Sequence, residues 1–244
     1  MIKAYAKSDT GKVREINQDY YYISNSLDEV QLYILADGMG GYNGGEIASK
    51  IAVETAKNYI ENNFREIEKD RDSIIQLLGS SMEYANMIVY EKSQEREELH
   101  GMGTTLEICL IYNNKVYIGH IGDSRIYRIR KEFIRKLTQD HSYVQKLVKE
   151  GKITKEQAET HPQKNMLTRA LGCNAFVEPD VMVKGFLKED ILVMCSDGLT
   201  NMVKTDIIYK EASKNIEQAP KELVKIANEN GGKDNITVVI IKNI

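Results

Sequence analysis

The stretch TLEICLIYNNKVYIGHIGDSRIYRI, residues 105–129, contains three strand-like runs in direct succession. Each run is rich in β-branched, aliphatic or aromatic residues, as strands are. The Asn113-Asn114 pair between the first two runs is typical of a tight hairpin turn. Strands joined by such short connections pair in the antiparallel sense. This stretch therefore predicts an antiparallel sheet, with strands over Thr105–Ile111, Lys115–Ile121 and Arg125–Ile129.

The rest of the chain adds further strand-like runs and two long helical patterns. The runs are Ile2–Ser8, Tyr20–Ser24, Val30–Ala36, Val181–Phe186, Ile191–Cys195 and Ile236–Lys242. Apolar residues recur at three- and four-residue spacing over Glu46–Phe64 and Asp72–Arg96, with Asp72 or Ser73 as the expected cap of the second helix. Shorter helices are predicted over Tyr143–Lys149, Thr154–Thr160, Thr205–Lys214 and Ala219–Asn230. Because the strands occur in groups and do not alternate with helices, their order predicts an α+β fold with helices outside antiparallel sheets.

The composition is that of an ordinary globular domain. The 244 residues are 42% hydrophobic and 28% charged, and the sequence shows no internal repeat or Pro/Gly-rich linker. We therefore expect a single domain over residues 1–244. Its most polar and least strand-like part, Ser142–Asp180, is predicted to be an insertion that forms a flap.

Charge, cysteine content and hydropathy argue against several classes of function. The 33 Lys and Arg residues against 36 Asp and Glu give a net charge of −3, whereas non-specific nucleic-acid binding needs a basic surface. The three cysteines form no CxxC pair, so neither a disulfide framework nor a thiolate zinc site is expected, and we interpret them as small core residues. No signal peptide, membrane-spanning run or heptad pattern is evident. We therefore expect a cytoplasmic monomer without a membrane or nucleic-acid partner.

Five aspartates stand where predicted strands begin or end: Asp19, Asp37, Asp123, Asp197 and Asp234. Carboxylates gathered at one edge of a sheet repel one another unless a cation lies among them. Hard oxygen ligands without Cys or His suit Mg²⁺ or Mn²⁺. Two such ions about 3.5–4 Å apart form the clamp used in phosphoryl transfer. Asp-Gly is also a common turn dipeptide, so the spacing alone leaves both the metal-site and the turn interpretations open.

Six short motifs make the chain similar to a known family. They are REINQD (Arg14–Asp19), ADGMGG (Ala36–Gly41), GMGTT (Gly101–Thr105), GHIGDSR (Gly119–Arg125), SDGLT (Ser196–Thr200) and GKDNIT (Gly232–Thr237). In this order, over about Lys7–Ile241, the chain resembles the metal-dependent serine/threonine protein phosphatases of the protein phosphatase 2C type, in their compact bacterial form. Each motif alone is weak, whereas six in the family's order are highly specific.

The resemblance implies a β-sandwich of two antiparallel sheets flanked by helix pairs, in four αββα layers, with two Mn²⁺ or Mg²⁺ ions at one end. Transferred motif by motif, Asp37 would bridge both ions and the Gly38 carbonyl would bind one of them. Asp197 and Asp234 would bind the other ion. Asp123, together with Asp197, would help to hold a third, weaker ion.

The same resemblance assigns Arg14 to the substrate phosphate and Asp19 to water held at the ions. Water activated by the ions would then hydrolyse phosphoserine or phosphothreonine directly, without a phosphoenzyme. The implied partners are phosphorylated proteins and a bacterial Ser/Thr kinase that the enzyme opposes. Two departures are Gln18, where animal members have a glutamate, and Met39, where they have a histidine proposed as general acid. The source of the leaving-group proton therefore stays open.

Two other functions also remain open at this point. One is a non-catalytic relative that binds phosphoproteins, although the complete set of acidic residues weighs against it. The other is a hydrolase of small phosphomonoesters. None of the four histidines (His100, His120, His141 and His161) has a motif partner, so we expect structural roles for them. Arg169 is predicted either to approach a phosphopeptide or to form a structural ion pair.

Overall fold

Two antiparallel β-sheets form the centre of the fold in the computed structural model, which describes residues 1–25, 30–40 and 44–244. The first sheet contains, in spatial order, β1 (Ile2–Asp9), β11 (Ile236–Asn243), β10 (Ile191–Cys195), β7 (Arg125–Arg130) and β8 (Phe133–Lys136). The second contains β2 (Asp19–Ile23), β3 (Gln31–Met39), β5 (Leu106–Tyr112), β6 (Lys115–Ile121) and β9 (Asp180–Gly185), with β4 (Gly103–Thr104) paired to β3. Each strand pair is antiparallel.

Helices cover the outer face of each sheet. The helices are α1 (Gly44–Asn63), α2 (Arg71–Gln94), α3 (Tyr143–Lys149), α4 (Lys155–Glu159), α5 (Asp197–Thr200), α6 (Thr205–Lys214) and α7 (Ala219–Glu229). α1 and α2 pack on the second sheet, and α6 and α7 pack on the first. The result is the four-layer αββα sandwich, which confirms the predicted fold class.

Strand β3 shows why some strands read as continuous apolar runs. Leu32 and Ile34 pack towards α1 and α2, whereas Tyr33 and Leu35 pack between the two sheets against residues such as Met194. A strand buried on both faces has no polar side to alternate with. The buried part of β3 therefore anchors the strand in the sandwich, and Asp37 follows it at the partly buried end of the strand.

Most predicted elements are present, with three corrections. The Asn113-Asn114 hairpin is confirmed, since both residues have the positive φ that such turns need (48° and 56°). The cap of α2 is Asp70, whose side chain accepts hydrogen bonds from the backbone N–H groups of Asp72 and Ser73, so the predicted cap was wrong. Cys173 is exposed, so the core interpretation holds only for the other two cysteines. Finally, β4, β8 and α5 were not predicted.

The segment Ser142–Asp180 joins the sandwich through backbone hydrogen bonds at its base. Leu171 pairs with Thr104 of β4, whereas Ser142, which caps α3, pairs with Leu167 within the segment itself. The flap and the single domain over residues 1–244 stay predictions. No helix in the described part of the chain is long and apolar enough to cross a membrane.

Candidate active site

The five predicted aspartates lie at the same end of the sandwich. Asp19 at the start of β2 pairs directly with Asp37 in β3. Asp123 follows β6, Asp197 begins α5 directly after β10, and Asp234 lies just before β11. Since Asp19 and Asp37 belong to one sheet and Asp197 and Asp234 adjoin the other, the site spans both sheets. The cavity between them is lined by Arg14, Gln18, Asp37, Gly38, Met39, Gly40, Thr105, Asp123, Asn165, Leu167, Asp197 and Asp234.

The Asp37 backbone is fixed by the neighbouring strand connection. Its N–H donates to Thr105 Oγ1 at 2.9 Å, and its carbonyl accepts from Thr104 Oγ1 and Thr105 N, both at 2.9 Å. The next residue, Gly38, allows close approach of α1, because a Cβ at this position would lie 2.0 Å from the Gly45 carbonyl oxygen. The Asp37-Gly38 pair therefore fixes the aspartate backbone and allows α1 to pack closely, in addition to forming a turn.

Asn235 ties the Arg14 loop to the Asp234 end of the site. Its Oδ1 accepts from Gln18 N, and its Nδ2 donates to the carbonyls of Thr10 and Ile16, each at 2.9 Å. The Asn235 backbone N–H donates to Asp234 Oδ1 at 2.9 Å. One buried side chain thus fixes both flanks of the loop that carries Arg14.

Asp19 is buried behind the cavity, with one satisfied and one unsatisfied oxygen. Its Oδ2 accepts hydrogen bonds from Ser196 Oγ at 2.8 Å and Thr237 Oγ1 at 2.7 Å. Its Oδ1 is buried and has no hydrogen-bond partner within the described residues. A buried carboxylate oxygen left without a partner is costly, and here it points to a group that the protein itself does not supply.

The carboxylates raise one another's pKa. Burial raises the pKa of Asp19 and of Asp123 to about 7, and burial together with the negative charge of Asp234 raises that of Asp197 to about 6. The pKa of Asp37 lies well above its ordinary value because Asp37 is buried and faces the other four carboxylates. Without a cation, the site therefore favours protonation.

The donor set fits hard divalent cations. No three His, Cys, Asp or Glu side chains in residues 1–25, 30–40 and 44–244 already lie close enough to form a ready-made metal cluster. The carboxylates instead surround the cavity, which offers them as oxygen donors without a thiolate or imidazole. Such donors suit Mg²⁺ or Mn²⁺, whose charge would offset the repulsion that raises the aspartate pKa values.

Arg14 lies at the rim of the cavity with its side chain 51% exposed. Its Nη2 donates to Asp234 Oδ2 at 2.9 Å, and this hydrogen bond raises the pKa of the guanidinium. An exposed guanidinium beside a recess suited to cations is well placed to bind an anion that also contacts those cations.

Comparison with known proteins identifies the family. The family model described as protein phosphatase 2C matches residues 11–236. The chain belongs to the protein phosphatase 2C family. Protein phosphatase PhpP of Streptococcus pneumoniae is 39% identical over 239 residues, covering 96% of this chain and 94% of PhpP.

Solved structures agree with this assignment. Serine/threonine phosphatase Stp1 from Staphylococcus aureus has a TM-score of 0.92 at 36% identity, covering 100% of this chain and 96% of that chain. The catalytic domain of the serine/threonine phosphatase PstP, solved in complex with two manganese ions, has a TM-score of 0.86 at 32% identity. This match covers 99% of this chain and 97% of that chain. The chain is therefore an enzyme, a bacterial-type member of the protein phosphatase class.

The two departures from animal members of the family both lie at the cavity. Gln18 and Met39 are part of its lining, which contains no histidine, lysine, cysteine or tyrosine in the described part of the chain. A thioether cannot donate a proton, so among the described lining residues the carboxyl groups are the only side chains that could serve as the acid. The last glycine of the Ala36–Gly41 motif lies outside the described residues.

The remaining candidate residues have structural partners. His120 is buried and contacts Glu107 at 2.6 Å, and Arg169 donates to Asp180 at 2.8 Å, which favours the ion-pair interpretation of Arg169. His100 and His161 are also absent from the cavity lining. Sequence reasoning missed the supports of the site, Thr105, Ser196, Asn235 and Thr237. All four stand inside the six family motifs, so their position beside the aspartates was the available signal.

Proposed function

We propose that this phosphatase hydrolyses phosphoserine and phosphothreonine in proteins at the aspartate cavity. The observation that carries the proposal is the convergence of Asp37, Asp123, Asp197 and Asp234 with Arg14 around one recess. The relatives PhpP and Stp1 support the reaction, because PhpP is a protein phosphatase and Stp1 a serine/threonine phosphatase.

We assign two divalent ions, Mn²⁺ or Mg²⁺, to this recess. Asp37 and the Gly38 carbonyl would hold them together with Asp197 and Asp234, and Asp123 with Asp197 would hold a third, weaker ion. When bound, such ions activate water for attack on phosphorus and offset charge on the phosphoryl oxygens. The two manganese ions in the PstP complex support the number of tightly held ions.

The chain's own residues orient the substrate. The Arg14 guanidinium, held at the rim by Asp234, would exchange that partner for two phosphate oxygens, because a planar guanidinium binds such an anion bidentately. Asp19, with its unpartnered Oδ1, would orient water at the ions through that oxygen. No side chain of the described cavity replaces the histidine of animal members, so the leaving alkoxide would take its proton from solvent.

We also propose that the segment Ser142–Asp180 shapes access to the cavity. Asn165 and Leu167 belong to the lining, and Met166 between them is 51% exposed. A phosphopeptide entering the recess would therefore pass this segment. The opposing kinase, the monomeric state and the cytoplasmic location stay predictions from the sequence.

The decisive experiment is hydrolysis of a phosphothreonine peptide before and after chelation. We expect turnover with Mn²⁺, its loss in EDTA and its recovery when Mn²⁺ is added back. Asp37→Asn should lower kcat by about 100-fold or more, since one electrostatic contact to the reacting group is typically worth that much. Glu132→Gln, at an exposed site in the β7–β8 turn, is the matched control. If the wild-type protein with Mn²⁺ hydrolyses no phosphopeptide, the proposal is wrong.

A further inference from the structure

The turn that carries Asp123 is held from two sides. Gly122 has φ +114°, a conformation that side chains rarely adopt, and a Cβ there would lie 2.5 Å from Thr105 Cγ2. On this side, Thr105 also accepts the hydrogen bond from the Asp37 N–H. The turn is therefore packed directly against the residue that supports the central aspartate of the cavity.

His141 holds the other side of the turn with two hydrogen bonds. Its backbone N–H donates to the Gly122 carbonyl at 2.7 Å, and its ring Nδ1 accepts from the Gly122 N–H at 3.1 Å. The His141 side chain is 4% exposed, so water does not readily replace either contact. The two peptide groups on either side of Gly122, the second of which leads into Asp123, are thus both held by one residue.

These contacts determine which ring nitrogen of His141 carries the proton. A nitrogen that accepts from a backbone N–H is unprotonated, so in the neutral ring the proton is on Nε2. His141 Nε2 lies 3.2 Å from Asp180 Oδ2, which can accept it, and Asp180 Oδ1 accepts from Arg169 at 2.8 Å. Burial, together with the nearby His120 ring, lowers the pKa of His141 to about 4, in agreement with a neutral ring.

The same residue joins the segment Ser142–Asp180 to the turn. The His141 carbonyl accepts from Thr168 N at 2.7 Å, and Tyr143 N donates to the Met166 carbonyl at 2.7 Å. Because Asn165 and Leu167 in this stretch line the cavity, His141 contacts both the Asp123 turn and the chain that leads to the lining.

We propose that His141 is a positioning residue for the reaction: its Nδ1 fixes the Gly122-Asp123 turn so that the Asp123 carboxylate faces the cavity, and Asp180 keeps His141 in the required tautomer. This inference rests on the proposed function, in which Asp123 holds the weaker ion. His141 itself touches neither substrate nor ion and acts through the turn.

The test compares His141→Asn with His141→Gln. An Asn amide oxygen lies near the position of Nδ1 and can still accept from Gly122, whereas a Gln amide reaches the position of Nε2 and leaves the Gly122 N–H unpaired. We expect hydrogen exchange of the Gly122 amide to be about tenfold faster in His141→Gln than in His141→Asn, as loss of one hydrogen bond implies. Calorimetric titration with Mn²⁺ should show the weakest site about 10–100-fold weaker in His141→Gln only, as is usual for residues that orient ligands.

Further variants separate this inference from the proposed function. Asp123→Asn should weaken the same Mn²⁺ site, and adding His141→Gln to it should cause no further loss. If Asp123→Asn binds Mn²⁺ like the wild type, the ligand role of Asp123 is wrong, and Gly122 exchange still decides the positioning role. Ring ¹⁵N NMR should show Nε2 of His141 protonated, with a shift towards the other tautomer in Asp180→Ala.

Three results would overturn the inference. One is equal Gly122 exchange and equal Mn²⁺ binding in both His141 variants. Another is a His141→Gln protein whose Gly122 exchange and Mn²⁺ binding are closer to those of the wild type than the values of His141→Asn are. That result would indicate that side-chain volume matters rather than the Nδ1 acceptor. The third is a wild-type ring protonated on Nδ1. Thermal melting of each variant establishes that the comparison is made between folded proteins.

Discussion

Replacing Asp123 by Asn should stabilise the metal-free phosphatase above pH 7. Asp123 lines the cavity and is partly buried, and burial raises its pKa from 3.8 to about 7. The folded state therefore binds this proton more tightly than the unfolded chain does. By linkage, Asp123 lowers the free energy of unfolding as the pH rises from about 4 through about 7. Asn has nearly the same shape as Asp but is neutral at every pH, so it avoids the unfavourable ionisation.

The size of the effect follows from the pKa difference. Each pKa unit corresponds to about 1.4 kcal/mol, so a rise from 3.8 to about 7 gives an upper limit of about 4 kcal/mol. Asp197 contributes to this rise and itself titrates with a pKa of about 6. Since the titrations of the two carboxyls are coupled, Asp123 alone accounts for only part of this energy. We expect the free energy of unfolding of Asp123→Asn to exceed that of the wild type by about 2 kcal/mol at pH 8, and to differ little from it near pH 4.

The assay is urea unfolding in the presence of EDTA, at pH 4.5 and pH 8. Glu132→Gln, an exposed carboxyl-to-amide change, is the control and should alter stability by less than about 0.5 kcal/mol at either pH. Saturating Mn²⁺ should reverse the order of the two proteins at pH 8, because the ions stabilise the protein that binds them better. An Asp123→Asn protein that is no more stable than wild type at pH 8 in EDTA would refute this reasoning.

Three further predictions concern phosphate binding, packing and substrate class. Arg14→Lys should raise KM for a phosphothreonine peptide about tenfold, since an ammonium cannot bind two phosphate oxygens in a planar fork; an unchanged KM in steady-state kinetics would contradict the role of Arg14. Gly38→Ala should unfold the protein or lower Tm sharply, because its Cβ would lie 2.0 Å from the Gly45 carbonyl oxygen, whereas Gly79→Ala, with no atom within 4 Å, should be neutral or stabilising in thermal melting. Finally, kcat/KM for a phosphothreonine peptide should exceed that for an aryl phosphate at least about tenfold, because contacts remote from phosphorus contribute to catalysis; equal values would favour a hydrolase of small phosphomonoesters.

The sequence predicted elements best where burial dictates the residue pattern. Both ends of β6 and β10 agree with the structure, because these strands are almost fully buried and bounded by polar turns. β8, with the sequence FIRK, was missed because this edge strand has only four residues, none of them fully buried, which is too short a run to show alternation. α5 was missed because four residues are too few to show helical periodicity.

The candidate site was predicted from motifs, but its internal contacts were not. Asp19 and Thr237 are 218 positions apart, and Arg14 and Asp234 are 220 apart. These contacts exist only because β1 pairs with β11 and the two sheets pack together, which no local pattern shows. His141 illustrates the limit in another way: its role depends on a hydrogen bond to Gly122, 19 residues away.

The pairing of β1 with β11 also determines when the proposed site can first form. Asp9 lies opposite Ile236, so β1 acquires its partner only after β11 has been made. A nascent chain on the ribosome contains Arg14 and Asp37 well before Asp234 has been added. The proposed site is therefore incomplete until Asp234 has been added, and we expect chains truncated before Asp234 to show no phosphatase activity.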